Sequence, residues 1–157
     1  MNKLVVFLVL AFFAIACGSN NNSNESSSSA SKPKSMVADP APADDGKGIG
    51  EVKEVKLNSP LDADMVASGK SIYEMKCAAC HKLTDQRVVG PGWDGITERR
   101  KPEWIMNMTL NVDVMLEKDP VARELLKECL VKMPNQNLSY DDARDVLEFM
   151  YANDQEQ

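Results

Sequence analysis

The sequence predicts an all-α domain at the end of a long N-terminal tether. Three observations carry that prediction. From Asn58 onward, apolar residues recur at helical spacing, in stretches opened by a capping residue or a proline. No stretch alternates apolar and polar residues over a strand's length, and no internal repeat appears. Residues 18–47 are dominated by Ser, Asn, Lys, Gly, Pro, Ala and Asp, which cannot bury a core. With 157 residues, 43% of them hydrophobic and 27% charged, the composition is that of a soluble protein with one domain.

The chain begins with a short basic Met1-Asn2-Lys3 and an unbroken apolar run from Leu4 to Ala16. That run is shorter than the ~20 residues of a spanning helix and fits a secretory signal. Its end, Ala14-Ile15-Ala16-Cys17-Gly18, resembles the lipobox of bacterial lipoproteins. The resemblance implies cleavage before Cys17 and a lipid on its sulfur, so residues 1–16 are read as a signal peptide and Cys17 as a lipid anchor. The alternatives are a plain signal peptide with an incidental cysteine, or an uncleaved anchor. Residues 17–57 form the tether. About forty flexible residues have an r.m.s. span of roughly 35 Å, enough for the domain to swing between membrane-bound partners. Ile49, Val52, Val55 and Leu57 interrupt the polar run, and read either as an arm packed on the domain or as a short strand.

The domain is predicted over 58–157. Ser59 is placed to cap a first helix, with Pro60 at its first position and Asp62 in its first turn. Met65, Gly69, Ile72 and Tyr73 follow at helical spacing. Lys82 to Gly95 reads as loop, turning at Gly90-Pro91-Gly92. Pro102 opens a second helix with Trp104, Ile105 and Met108 inward. Asp119-Pro120 caps a third, whose stripe is Val121, Ala122, Leu125, Leu126 and Cys129, and which Pro134 ends. Cys129 is most simply a buried thiol. Ser139 and Asp142 make a capping box for the last helix, where Ala143, Val146, Leu147 and Met150 face inward.

The chemistry is concentrated in Cys77-Ala78-Ala79-Cys80-His81. C-x-x-C-H is the attachment signature of c-type haem. Two thiols about one helical turn apart can each add to a different vinyl group of one porphyrin. The histidine that follows is placed to ligate the iron. Two other readings use the same residues. One is a zinc site of Cys77, Cys80, His81 and Cys129, although adjacent ligands rarely both reach one ion and no second C-x-x-C exists. The other is a thioredoxin-like redox pair, although the segment before the motif is too polar and helical for the buried strand such a pair follows.

A second iron ligand must come from irregular chain able to wrap over the other haem face. Met65, Met75, Met106, Met108 and Met150 fall in predicted helices and read as core or surface. Met115 lies in a helix-poor stretch. Met133 precedes Pro134 and the polar Asn135-Gln136-Asn137. These two remain as candidates, since His81 is the only histidine.

The net charge of −6 sits entirely in the last hundred residues, because the first 57 carry equal numbers of basic and acidic side chains. An acidic domain disfavours nucleic acid and anionic membrane, and favours a partner with a basic docking patch. Lys82, Arg87, Arg99, Arg100 and Lys101 are the exception. They read as a solvated face, or as a docking rim with Arg99 or Arg100 reaching a haem propionate.

Taken together, a helix with Gly69 and Tyr73, then Cys77-x-x-Cys80-His81, then Gly90-Pro91, then Met133-Pro134, then a closing helix, resembles the class I monohaem cytochromes c over about residues 60–152. The resemblance implies a small helical fold around one covalent haem c, with first and last helices crossing where Gly69 permits close approach. It implies that the Pro91 carbonyl accepts the second imidazole N–H of His81, and that His81 and Met133 hold the iron. Trp93 falls where that family usually carries an aliphatic residue. The function implied is that of a non-enzymatic, monomeric electron carrier, lipid-anchored on the periplasmic side of a bacterial membrane. Its partners would be a quinol-oxidising complex and a terminal reductase or oxidase. The competing readings are a haem-bearing sensor or subunit of a larger complex, and a haem peroxidase, which would need a distal acid–base residue.

Overall fold

The computed structural model describes residues 45–156. The expected signal peptide, Cys17 and the tether up to residue 44 lie outside them. Six α-helices follow in order: α1 (Ala63–Ile72), α2 (Ile96–Arg99), α3 (Pro102–Leu110), α4 (Val112–Lys118), α5 (Pro120–Cys129) and α6 (Tyr140–Gln155). Among the described residues no β-sheet forms, and one isolated antiparallel bridge pairs His81 with Arg87.

Helix α1 starts later than its sequence signal predicts. Asp62, not Ser59, is the cap, and its carboxylate accepts the amide N–H groups of Asp64 and Met65 at 2.9 and 3.1 Å. The physical reason lies in α6. Glu148 is fully buried, and its Oε1 accepts from Asn58 Nδ2 at 3.0 Å and from the Asp62 amide at 2.9 Å. Those bonds fix 58–62 as a non-helical lead-in, and leave the Asp62 carboxylate at the positive end of the helix dipole. Arg144, one turn before Glu148, neutralises it and donates to the Lys56 carbonyl at 3.0 Å.

Helix α1 does not run straight into the motif. Tyr73–Cys77 forms one π-helical turn, in which the Ala78 amide bonds the Tyr73 carbonyl five residues back at 2.9 Å. Helix α6 has the predicted capping box, with Asp142 N–H to Ser139 Oγ and Ser139 N–H to Asp142 Oδ2 both at 3.1 Å. Its inward stripe of Ala143, Val146, Leu147 and Met150 is buried. The pairing of α1 with α6 is the main helix contact, and Gly69 sets its distance. A Cβ there would lie 2.0 Å from the Asp145 carbonyl oxygen, so only glycine lets the backbones meet.

Asp119 and Pro120 open α5 as predicted, and Asp119 accepts the Ala122 amide at 2.8 Å. The same buried carboxylate accepts Trp104 Nε1 at 3.2 Å, tying α3 to α5. The helix ends at Cys129, before Pro134, because Leu130 adopts a left-handed conformation at φ 59°. Helix α4 has no counterpart in the sequence prediction. It is seven residues long, and its Val112 and Met115 are completely buried. The four-residue α2 is held by Asp154 of α6, which accepts the Gly95 and Thr97 amides and the Thr97 hydroxyl at 2.7–3.1 Å.

Ile49, Val52 and Val55 form a packed arm without a strand, while Leu57 is exposed. Asn107 of α3 supplies what a neighbouring strand would. Its side chain accepts the Val52 N–H at 3.1 Å and donates to the Val52 and Lys47 carbonyls at 3.0 Å each. The Ile49 N–H points at Met115 Sδ, 3.1 Å away. Residues 45–57, the end of the predicted tether, therefore pack against α3, α4 and α6.

Candidate haem site

A cavity of about 510 Å³ opens within the helical domain, its wall almost wholly apolar. Cys80, His81, Pro91 and Met133 all contribute to that wall. Cys77 belongs to the hydrophobic core beside it, and Cys17 is outside the described residues. A volume of this size lies within the roughly 300–1,000 Å³ of small-molecule and cofactor sites.

The π-turn places the motif. Both Cys80 and His81 turn their amides back to the Cys77 carbonyl, at 3.0 and 2.9 Å. Cys77 is buried, and burial, its largest influence, pushes its thiol up to about 11. It is therefore a neutral thiol at physiological pH. His81 Nδ1 lies 2.8 Å from the Pro91 carbonyl oxygen. A carbonyl can only accept, so Nδ1 carries the proton and the Nε2 lone pair is free. Burial lowers the imidazole pKa, and the Pro91 bond opposes this in part. The ring is held neutral in the tautomer that a metal ligand needs.

Two supports of His81 were not legible as such. Tyr73, expected only as a helix aromatic, donates its hydroxyl to the His81 carbonyl at 2.8 Å. Gly90, expected as a turn residue, lies against the imidazole. A Cβ there would meet His81 Cε1 at 2.3 Å. Its amide also bonds the Cys80 carbonyl at 3.0 Å. The loop from 81 to 91 thus closes back on the motif it leaves.

The methionines divide by position. Met133 is half-buried, outside any helix, and on the cavity wall. Met115 is completely buried within α4, off the wall, with its sulfur facing the Ile49 N–H. Met108 and Met150, read as ordinary core, also line the cavity, as does Cys129, which is half-buried rather than fully enclosed. Inward periodicity marks a residue as facing the interior, but does not distinguish a neighbour's side chain from a cofactor.

The predicted basic cluster disperses. Arg99 and Arg100 reach the cavity wall, and Arg100 lies 5.2 Å over the Trp104 ring. Lys101 instead holds the Asp45 carbonyl at 2.6 Å, and Arg87 holds that of Glu128. The zinc reading finds no support, because no group of three His, Cys, Asp or Glu side chains is poised for a metal ion among the described residues. The thioredoxin-like reading lacks its strand, since a helix precedes the motif.

The residues fit a flat, apolar, anionic-edged cofactor: a neutral imidazole with a free lone pair, a thioether sulfur, an apolar wall and two guanidinium groups.

Residues 66–153 match the model of the family described as cytochrome c. A search of curated proteins gave no match. Among solved structures, the chain is similar to cytochrome c from Rhodothermus marinus, at 36% identity and a TM-score of 0.68, over 71% of this chain and 96% of that one. It is similar to an engineered form of that cytochrome at 34% identity and a TM-score of 0.66, over 70% and 95% of the two chains. A cytochrome c domain from Pseudomonas putida matches at 25% identity and a TM-score of 0.50, over 55% and 88%. No described helix is long and apolar enough to cross a membrane. Fold, cavity and sequence match agree, and they place this chain in the cytochrome c family, as an electron-transfer haem protein with one covalently bound haem c.

Proposed function

We propose that this protein is a membrane-tethered monohaem cytochrome c carrying single electrons in a respiratory chain, from a quinol-oxidising complex to a terminal reductase or oxidase. The observation that carries the reading is the cavity shared by His81, with Nδ1 committed to Pro91, and Met133. When bound, the haem supplies a one-electron Fe(III)/Fe(II) couple. Cys77 and Cys80 would attach it through thioethers, His81 Nε2 and the Met133 sulfur would hold its iron, and Arg99 and Arg100 would offer guanidinium groups to its carboxylates. With His81 and Met133 both holding the iron, the protein would leave no position open for a substrate, as a carrier of single electrons requires.

The wall also argues against peroxidase chemistry. No aspartate or glutamate lines the cavity, and His81, committed to Pro91, is its only imidazole. Among the residues lining the cavity, no carboxylate or second imidazole is present to serve as a distal general acid or base. Anchoring through Cys17, on the periplasmic side, completes the reading. It rests on the lipobox-like sequence, and it suits a carrier that works as a monomer between membrane-bound complexes.

Two measurements test this. The ferrous wild-type protein should give a low-spin spectrum that carbon monoxide leaves unchanged. Ready carbon monoxide binding would show an open position and replace the carrier reading. Cys17→Ser should release an intact haem domain from membranes or stall its precursor. A native protein found wholly in the soluble periplasmic fraction would refute the anchor.

A further inference from the structure

Trp93 is a buried aromatic residue on the cavity wall, and the structure gives it a neighbour that makes its ring consequential. Its side chain is 7% exposed and lies on the cavity wall. Its ring centroid is 5.5 Å from that of His81, with 32° between the planes. On its other contact it meets Tyr73 at 5.0 Å, and Tyr73 meets Phe149 of α6 at 5.5 Å. The Trp93 amide bonds the Lys82 carbonyl at 2.8 Å, so its backbone is fixed beside the motif. These centroid distances are those of attractive aromatic pairs.

The His81 ring needs such a neighbour. A torsion between tetrahedral Cβ and a flat ring has a broad minimum. The single bond from Nδ1 to Pro91 fixes one direction in the ring plane, but leaves rotation about that direction soft. Gly90 limits the ring at its edge. A flat indole tilted 32° to the imidazole restricts the rotation that remains, and Tyr73 backs both partners, by ring contact with Trp93 and by its hydroxyl on the His81 carbonyl. An aliphatic side chain has no plane and would restrict the ring less.

We propose that Trp93 is a positioning residue that sets the orientation of the His81 imidazole, with Tyr73 as its support. The proposal rests on His81 being an axial ligand. The π system of an imidazole bound to iron would overlap one of the dxz and dyz orbitals more than the other, so the orientation of its plane would affect their splitting and the anisotropy of the ferric electron paramagnetic resonance signal. That readout separates positioning from simple core packing.

The test uses the full-length, haem-loaded protein and the variants Trp93→Leu, Trp93→Phe and Tyr73→Phe. In Trp93→Leu the haem should stay attached and low-spin, while the largest g-value shifts beyond the wild-type line width and the line broadens. Trp93→Phe, which keeps a flat ring, should restore most of the wild-type signal. Tyr73→Phe, which removes one oxygen, should shift it in the same direction by less. Unchanged g-values in Trp93→Leu, with the damage confined to thermal stability, would overturn the proposal. So would a Trp93→Phe shift as large as that of Trp93→Leu. If Trp93→Leu fails to load haem, Trp93→Phe decides alone, since a shifted signal there refutes the flat-ring argument and a retained one upholds it. A wild type with no low-spin signal would instead refute axial ligation, and it is distinguishable because the fault would precede any substitution.

Discussion

The two segments that bring the candidate ligands to the cavity are built in opposite ways. The first, Tyr73 to Trp93, is tied down at almost every step. Its histidine is bonded at the ring by Pro91 and at the backbone by Tyr73, pressed by Gly90 and flanked by Trp93. The second, residues 130–138, is a loop held at its margins and by one surface ion pair. Arg87 holds the Glu128 carbonyl before it, Lys76 reaches the Gln136 carbonyl at 3.1 Å, and Lys132 pairs with Asp113 on the surface. Two of its non-glycine residues, Leu130 and Asn137, have positive φ. Leu130 and Val131 are 85% and 55% exposed. Both candidate ligands are half-buried and outside the helices, but His81 is held from several sides and Met133 is carried by a sparsely held loop. Covalent attachment and the candidate ligand His81 therefore depend on local sequence, while the placing of the candidate ligand Met133 depends on where α5 stops.

The largest effects should come from the chemistry itself. Cys77→Ser with Cys80→Ser should abolish covalent haem. A denaturing gel stained for haem shows the wild-type band and should show none for the double variant. Haem extracted from the wild type by acid–acetone would contradict attachment altogether. Met133→Ala should keep that band intact, because the thioethers do not involve the loop. It should open the sixth position, so that ferrous protein goes from negligible to ready carbon monoxide binding, and the midpoint potential should fall with loss of the soft thioether. Met115→Ala should change neither. If Met133→Ala leaves carbon monoxide excluded, another side chain fills the position, and Met108 and Met150 on the same wall are next to substitute.

What was legible in the sequence follows the same division. The motif, the capping box at Ser139, the Asp119-Pro120 start of α5 and the inward stripe of α6 are local signals. Each depends on residues within a turn or two, and each appears in the structure as read. The losses are long-range. Ser59 reads as the cap and Asp62 as a first-turn residue until the buried Glu148, eighty-six residues beyond Asp62, claims the lead-in. Val52 reads as strand or arm until Asn107, fifty-five residues on, supplies its hydrogen bonds. Helix α4 is too short to show a period, and its Val112 and Met115 are recognisable only as buried. Cys129, Met108 and Met150 lie on correctly predicted helical stripes, but a stripe does not reveal that it faces a cavity.

A smaller effect should sharpen the contrast from the tightly held side. Gly90→Ala introduces a Cβ that would lie 2.3 Å from His81 Cε1. The ring cannot yield easily, since Pro91 and Trp93 hold it, so the new methyl should destabilise by about 1–3 kcal/mol as overpacked cores do. Denaturant titration of the haem-loaded protein should show the lower midpoint with an unchanged slope. The same titration with no shift would mean that the segment flexes, and the contrast between the two segments would fail.

The smallest effect belongs to the loop and has the opposite sign. Leu130 holds φ 59° and ψ 1°, a conformation that disfavours a residue with a Cβ by roughly 1–2 kcal/mol. Its side chain is 85% exposed, so little burial compensates. Glycine at this position is the usual way to end a helix. Leu130→Gly should relieve the clash while adding roughly 0.5–1 kcal/mol of backbone entropy to the unfolded chain. The net should be a stabilisation of about 0.5 kcal/mol, read as a slightly higher denaturant midpoint, with the haem spectrum unchanged because Met133 stays where it is. Leu130→Ala keeps the Cβ and should show no gain, which makes it the control for lost apolar surface. If glycine destabilises while alanine does not, chain stiffness at Leu130 is what places Met133. The loop would then owe its geometry to the residue that ends α5 rather than to the contacts at its margins.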